Sequence, residues 1–190
     1  GGLLHEASSH REMTEVDFLR FKSKYFAHFS DGVKRVIDAA SLFTCIMSEI
    51  KGSLHALHSD SGRLSRDVYL AMADQRTSQM DRVTRGLVYD AFRKYERLKS
   101  RFADYDVPDA VHSIYTQVRR QGYRGVDFYS VYVDEVQDLS PAQIALLNPV
   151  CSDKARFILS GDTAQTIAHG VGFRFQDVQN MFYEEFLGGD

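Results

Sequence analysis

Apolar residues recur at three- and four-residue steps through roughly the first two-thirds of the chain, and then run together near residue 130. Phe18, Phe21, Tyr25, Phe26 and Phe29 have a near-helical spacing that buries an aromatic stripe, although the same residues would also serve in strands. Val36, Ile37, Ala40, Phe43, Ile46, Met47 and Ile50 predict one helix over Val33 to Ile50, closed by Gly52. Ser59-Asp-Ser-Gly62 reads as a turn, after which Ser65 is an N-cap for a short helix carrying Val68, Tyr69 and Met72. The clearest helix runs from about Asp81 to Phe102. Val83, Leu87, Ala91, Tyr95, Leu98 and Phe102 line its expected inner face, and Arg85, Arg93, Lys94, Arg97, Lys99 and Arg101 occupy the rest. Asp106-Val-Pro108 breaks the pattern, and a further helix extends to Gln121 before Gly122.

At Gly125 the period changes. Val126, Phe128, Tyr129, Val131, Tyr132 and Val133 form a nearly continuous apolar run, as expected of a parallel strand covered on both faces. Ser140-Pro-Ala-Gln143 is a capping box with proline at the first helical position, predicting a helix through Leu147. Arg156-Phe-Ile-Leu-Ser160 is a second short strand. Strand, helix and strand in succession make a βαβ unit, so the chain is helical first and α/β afterwards.

Composition narrows the setting. With 44% hydrophobic and 26% charged residues the chain is suited to a packed core and not to wholesale disorder. No apolar run approaches the ~18–20 residues that span a bilayer, and no secretory leader is visible. Cys45 and Cys151 read as two buried thiols, so an intracellular setting, nucleus or cytoplasm, and no membrane partner are expected. The scattered histidines make no zinc pattern. The net charge of −3 hides an asymmetry. Arg82–Arg124 holds ten basic against five acidic residues, whereas Asp134–Asp190 holds three against nine. A basic helical stretch beside an acidic α/β stretch suits phosphates in one place and Mg²⁺ in another, although solvated helix faces are often basic as well.

Asp134-Glu135 follows the first strand, where open α/β sheets gather their ligands. Two adjacent carboxylates there suit phosphoryl transfer, one holding Mg²⁺ and the next orienting or deprotonating the attacking water. Taken alone they would pass for solvent-facing loop acids. Their company changes that: Val-Tyr-Val-Asp134-Glu135-Val-Gln137-Asp138 is answered after the second strand by Gly161-Asp162-Thr-Ala-Gln165-Thr-Ile167. The second string brings another acid and an amide that can bond a terminal phosphate or its attacking water without adding charge.

Hydrophobic-Asp-Glu-x-Gln-Asp resembles motif II (Walker B) of superfamily 1 UvrD/Rep-like helicases, and Gly-Asp-x-x-Gln-x-Ile resembles their motif III. Residues 131–147 and 157–182 are closer still to the helicase-like region of large tetratricopeptide-and-ankyrin-repeat proteins. More weakly, Leu64-Ser-Arg-Asp-Val-Tyr-Leu70 and Tyr105-Asp-Val-Pro-Asp109 extend the likeness into the helical part. The resemblance implies a helicase or translocase using ATP and Mg²⁺ on single-stranded DNA or RNA, together with the remainder of the motor. It implies part of a P-loop NTPase (RecA-like) parallel-sheet domain over residues 126–190, with residues 1–125 as a mainly helical inserted subdomain. Asp134 would hold Mg²⁺, with Glu135 beside it as general base, and Gln165 would sense the γ-phosphate. Gln137, Asp138 and Asp162 would tie the motifs together at the nucleotide. After motif III the sequence departs from the family pattern, lacking its tryptophan. Phe173 or Phe175 could stack a base there and Arg174 meet a phosphate, unless both rings are core residues.

No G-x-x-x-x-G-K-[ST] loop occurs among the 190 residues. The chain by itself is therefore expected to bind ATP poorly. The alternative is a catalytically inactive module, descended from a helicase, that binds nucleic acid or protein through the basic stretch.

Overall fold

The computed structural model describes residues 13–74, 80–162 and 175–188, with the side chains of 175–177 excepted. The architecture is mostly helical, with a small two-stranded parallel sheet. The aromatic stripe is helical from Phe18 to His28. It comprises α1 (Phe18–Arg20), a wide turn over Phe21–Tyr25 and a tight one over Phe26–His28. Phe21 and Tyr25 are fully buried and pack edge-on against Tyr95.

The single helix expected over Val33 to Ile50 is two. Between α2 (Asp31–Val36) and α3 (Ala39–Thr44) the chain is extended at Ile37, and Asp38 accepts from the amides of Ala40 and Ser41. An aspartate able to cap a helix competes with continuing one, and periodicity alone does not register that. The path continues through a wide turn at Cys45–Ile50, then α4 (Leu54–His58) and α5 (Arg66–Ala71), whose cap is Ser65.

α6 (Arg82–Phe102) begins at Asp81 as expected, but its inner face is rotated from the expected one. Arg85, Val88, Tyr89, Ala91, Phe92, Tyr95 and Lys99 are buried, while Val83 is 77% exposed. Two long basic side chains belong to the inside because carboxylates meet them there: Glu49 lies 2.8 Å from Arg85 and Asp106 lies 2.8 Å from Lys99. α7 (Val107–Gln121) opens with a capping box between Asp106 and Asp109 and ends at Gly122, where φ is +74°.

β1 (Val131–Val133) and β2 (Phe157–Leu159) pair in parallel, with Val131 opposite Phe157 and Val133 opposite Leu159. The strand is shorter than the apolar run. Its outer face is also open, with Tyr132 at 72% and its neighbour Ile158 at 52% exposure. No described element lies over these residues, so among the described residues the sheet is covered on one face, where cover on both was expected. The inner face packs on Val136, Ile144 and α9 (Phe175–Phe186). α8 (Pro141–Ala145) comes between the two strands in chain order and ends short of the expected Leu147, after which the chain makes a tight turn at Asn148–Val150. Leu57 of α4 and Val111 of α7 bury themselves against Ala142 and Ala145 of α8, so both helices touch the α/β part.

Candidate active site

The parallel register brings two loops to one end of the sheet. Val133 ends β1 opposite Leu159, so Asp134 and Ser160 leave the sheet side by side. The Ser160 amide donates to the Val133 carbonyl at 2.8 Å, and the Val136 amide returns to the Ser160 carbonyl at 2.9 Å. The Ser160 hydroxyl donates to Asp134 Oδ1 at 2.6 Å, and that oxygen also accepts from the Glu135 amide at 3.1 Å. Both acidic side chains are exposed.

Glu135 has φ +52° and ψ +45°, the left-handed region that a residue with a Cβ seldom occupies. The turn follows directly on the strand end and leads into a short 3₁₀ turn, Val136–Asp138, whose Val136 is fully buried. A buried Val136 anchors the loop, and the backbone strain falls on the acid beside it.

Gln137 joins the two strings. Its Nε2 donates to Glu135 Oε2, and its Oε1 accepts from the Asp162 amide at 3.1 Å. Gly161 makes this approach possible, because a Cβ there would collide with Gln137 Oε1 and stand 3.0 Å from Val136 Cγ1. Asp138 is exposed, and its amide donates to the Glu135 carbonyl at 2.9 Å. Gln165, Phe173 and Arg174 lie outside the described residues, as does the side chain of Phe175. The geometry thus unites Asp134, Glu135, Gln137 and the backbone of Asp162. Ser160 was expected only as the end of the second strand and not as a residue of the site. Its signal was available in principle, because in a parallel pair the residue after β2 stands beside the residue after β1.

A second acidic group also escaped the sequence reading. Carboxylate oxygens of Glu96, Asp106 and Asp109 converge within 4.8 Å of one another, a spacing that could hold a metal ion. Two ammonium groups answer them instead. Lys51 Nζ lies 2.7 Å from Asp106 and 2.6 Å from Asp109, and Lys99 Nζ lies 2.8 Å from both Asp106 and Glu96. Burial alone would raise the Asp109 pKa, but Lys51 and Lys99 outweigh it and hold the carboxyl at about 2. The Lys99 pKa is raised in turn, with Asp106, Glu96 and Asp109 overcoming the cost of burying its charge. This cluster fastens α6 and α7 to Lys51, one residue before Gly52, whose carbonyl accepts from the Ala142 amide at 2.9 Å.

A model of the UvrD/REP helicase N-terminal domain matches residues 34–186. The chain belongs to the UvrD/REP helicase family. A human protein, TPR and ankyrin repeat-containing protein 1, is 30% identical over 168 residues, covering 88% of this UvrD/REP-family chain and 6% of that relative. The chain therefore corresponds to a small part of the length of this relative. No solved structure matches it. The match takes in the paired loops and most of the helical part, so the family assignment does not rest on the acid string alone. No described helix is long and apolar enough to cross a membrane.

Proposed function

We propose that this chain is the motif II and motif III part of an ATP-driven motor. When complete, it hydrolyses ATP to move along single-stranded DNA or RNA. Residues 126–190 are then part of a RecA-like domain, and residues 1–125 are its inserted helical subdomain. The observation that carries the reading is the junction at the sheet end, where Ser160 bonds Asp134 and Gln137 bonds both Glu135 and the Asp162 amide. Acids on one strand end are common. Acids locked to a second strand end are what a site needs if loss of a phosphate is to move another segment.

The donor set fits Mg²⁺, a hard cation that takes oxygen ligands and keeps several waters. Asp134 would hold it, and the Ser160 hydroxyl keeps the carboxylate turned. Bound Mg²⁺ would neutralise charge that develops on the transferring phosphate. Glu135 accepts the proton of the attacking water, with Gln137 fixing its carboxylate from one side. In this reading Gln165 senses the terminal phosphate. Phe173 or Phe175 stacks a base, and Arg174 meets the backbone.

Glu135→Gln in the complete protein tests the assignment. The amide keeps the shape of the side chain but cannot take the proton, so ATP turnover should fall at least a hundredfold, the usual scale of a lost general base. Nucleotide binding should persist. Turnover equal to the parent removes the motor assignment for Glu135. A parent protein without turnover leaves the alternative, an inactive binding module.

A further inference from the structure

The positive charge of Arg82–Arg124 is unevenly used. Arg85 and Lys99 are buried in ion pairs, Lys94 donates to the His28 carbonyl, and Arg82 lies 3.6 Å from Asp74. Arg93, Arg97 and Arg101 differ. All three are exposed on α6, and none forms an ion pair with a carboxylate of the described residues. The nearby Asp90 is exposed and turned toward Arg66 at 3.9 Å.

Their spacing makes a row. Steps of four residues carry the chain about 6 Å along the axis, so the three guanidinium groups follow one ridge over about 12 Å. That ridge lies opposite the buried line of Arg85, Val88, Phe92, Tyr95 and Lys99. Like charges at this spacing repel, so an unanswered row works against the helix that bears it. The exposed row contains no aromatic residue, which leaves it able to meet phosphates but poorly equipped to stack bases.

We propose that Arg93, Arg97 and Arg101 form a phosphate-contacting ladder that holds a nucleic-acid backbone on α6 without reading its sequence. Guanidinium is suited to this because its planar fork meets two phosphate oxygens at once. The ladder rests on charge and spacing. It shares with the motor reading only the class of ligand.

The test uses this chain, a fluorescein-labelled oligo-dT of about 20 nucleotides and a duplex of equal length, without nucleotide or Mg²⁺. Fluorescence anisotropy is measured across KCl concentrations. Three contacts predict a log–log salt slope of about −2 on the single strand or about −2.7 on the duplex. The R93Q/R97Q/R101Q variant should bring the slope close to zero and weaken binding about a hundredfold at 0.1 M salt. Circular dichroism must show it folded. R119Q/R120Q/R124Q removes three exposed charges elsewhere and should keep the slope. Equal losses in both variants, an unchanged slope in the first, or no binding by the parent at low salt would each overturn the ladder. Capture of phosphatidylserine vesicles in place of labelled strands would do the same. ATP turnover tests the acid loop and this titration tests α6, so either reading can fail while the other stands.

Discussion

Asp106 has no exposed surface, and its carboxylate is the acceptor on which the ionic cluster converges. Lys51 reaches both of its oxygens at 2.7 Å, Lys99 reaches Oδ2 at 2.8 Å and the Tyr95 hydroxyl donates at 3.0 Å. The same side chain caps α7 by accepting from the Asp109 amide at 3.0 Å. Asp106→Ala therefore removes a cap and leaves two nearly buried ammonium groups short of a partner. Breaking a buried ion pair from one side costs roughly 3–5 kcal/mol. Glu96 and Asp109 remain to receive the lysines, which argues for the lower end, about 3 kcal/mol. The lost cap adds about 1 kcal/mol, for a total near 4 kcal/mol. For a domain of this size each kcal/mol moves the midpoint by about 2–4 °C, so Tm should fall by roughly 8–16 °C. Thermal unfolding followed by circular dichroism at pH 7 measures it, with Asp106→Asn as the comparison that keeps the cap. A fall below about 3 °C would refute the reasoning, since it would mean that water reaches the lysines and does the work of Asp106.

Two further outcomes follow from the same geometry. Gly52→Ala should cost at least about 2 kcal/mol, because a Cβ there collides with the Met47 carbonyl and stands 2.9 Å from Ser140 Cβ; a urea midpoint equal to the parent's would show that the junction gives way freely. Asp104 and Asp109 both have folded pKa values of about 2, against about 3.9 unfolded. At Asp104 burial pushes upward and is outweighed by hydrogen bonds from Arg20, Lys24 and Tyr25. Since the unfolded chain takes up these protons first, their stabilisation is complete above about pH 4 and drains away as pH falls toward 2. A urea midpoint that stays level between pH 5 and 2.5 would show that the paired carboxylates contribute nothing.

Local chemistry alone was enough to locate several features. Ser65, Asp81 and Ser140 each begin the helix they were expected to begin, because a cap is satisfied by amides two or three residues away, whereas Asp106, expected only to break the preceding pattern, also caps the helix that follows. The acid pair at the end of β1 and the string after β2 were legible for a similar reason, since a short apolar strand followed by polar residues fixes where the chain leaves the sheet. Tertiary structure decided the rest. Arg85 and Lys99 lie inside because Glu49, Asp106 and Asp109 reach them from other segments, and no helical period records a partner brought from elsewhere. Asp38 divides one apolar pattern into two helices because its carboxylate offers a closer acceptor for the Ala40 and Ser41 amides. Ser160 meets Asp134 only because β1 and β2 pair in parallel with this register. The sequence determined which side chains were available at each strand end. The pairing of the strands decided which of them touch, because contact between distant residues depends on the path of the whole chain between them.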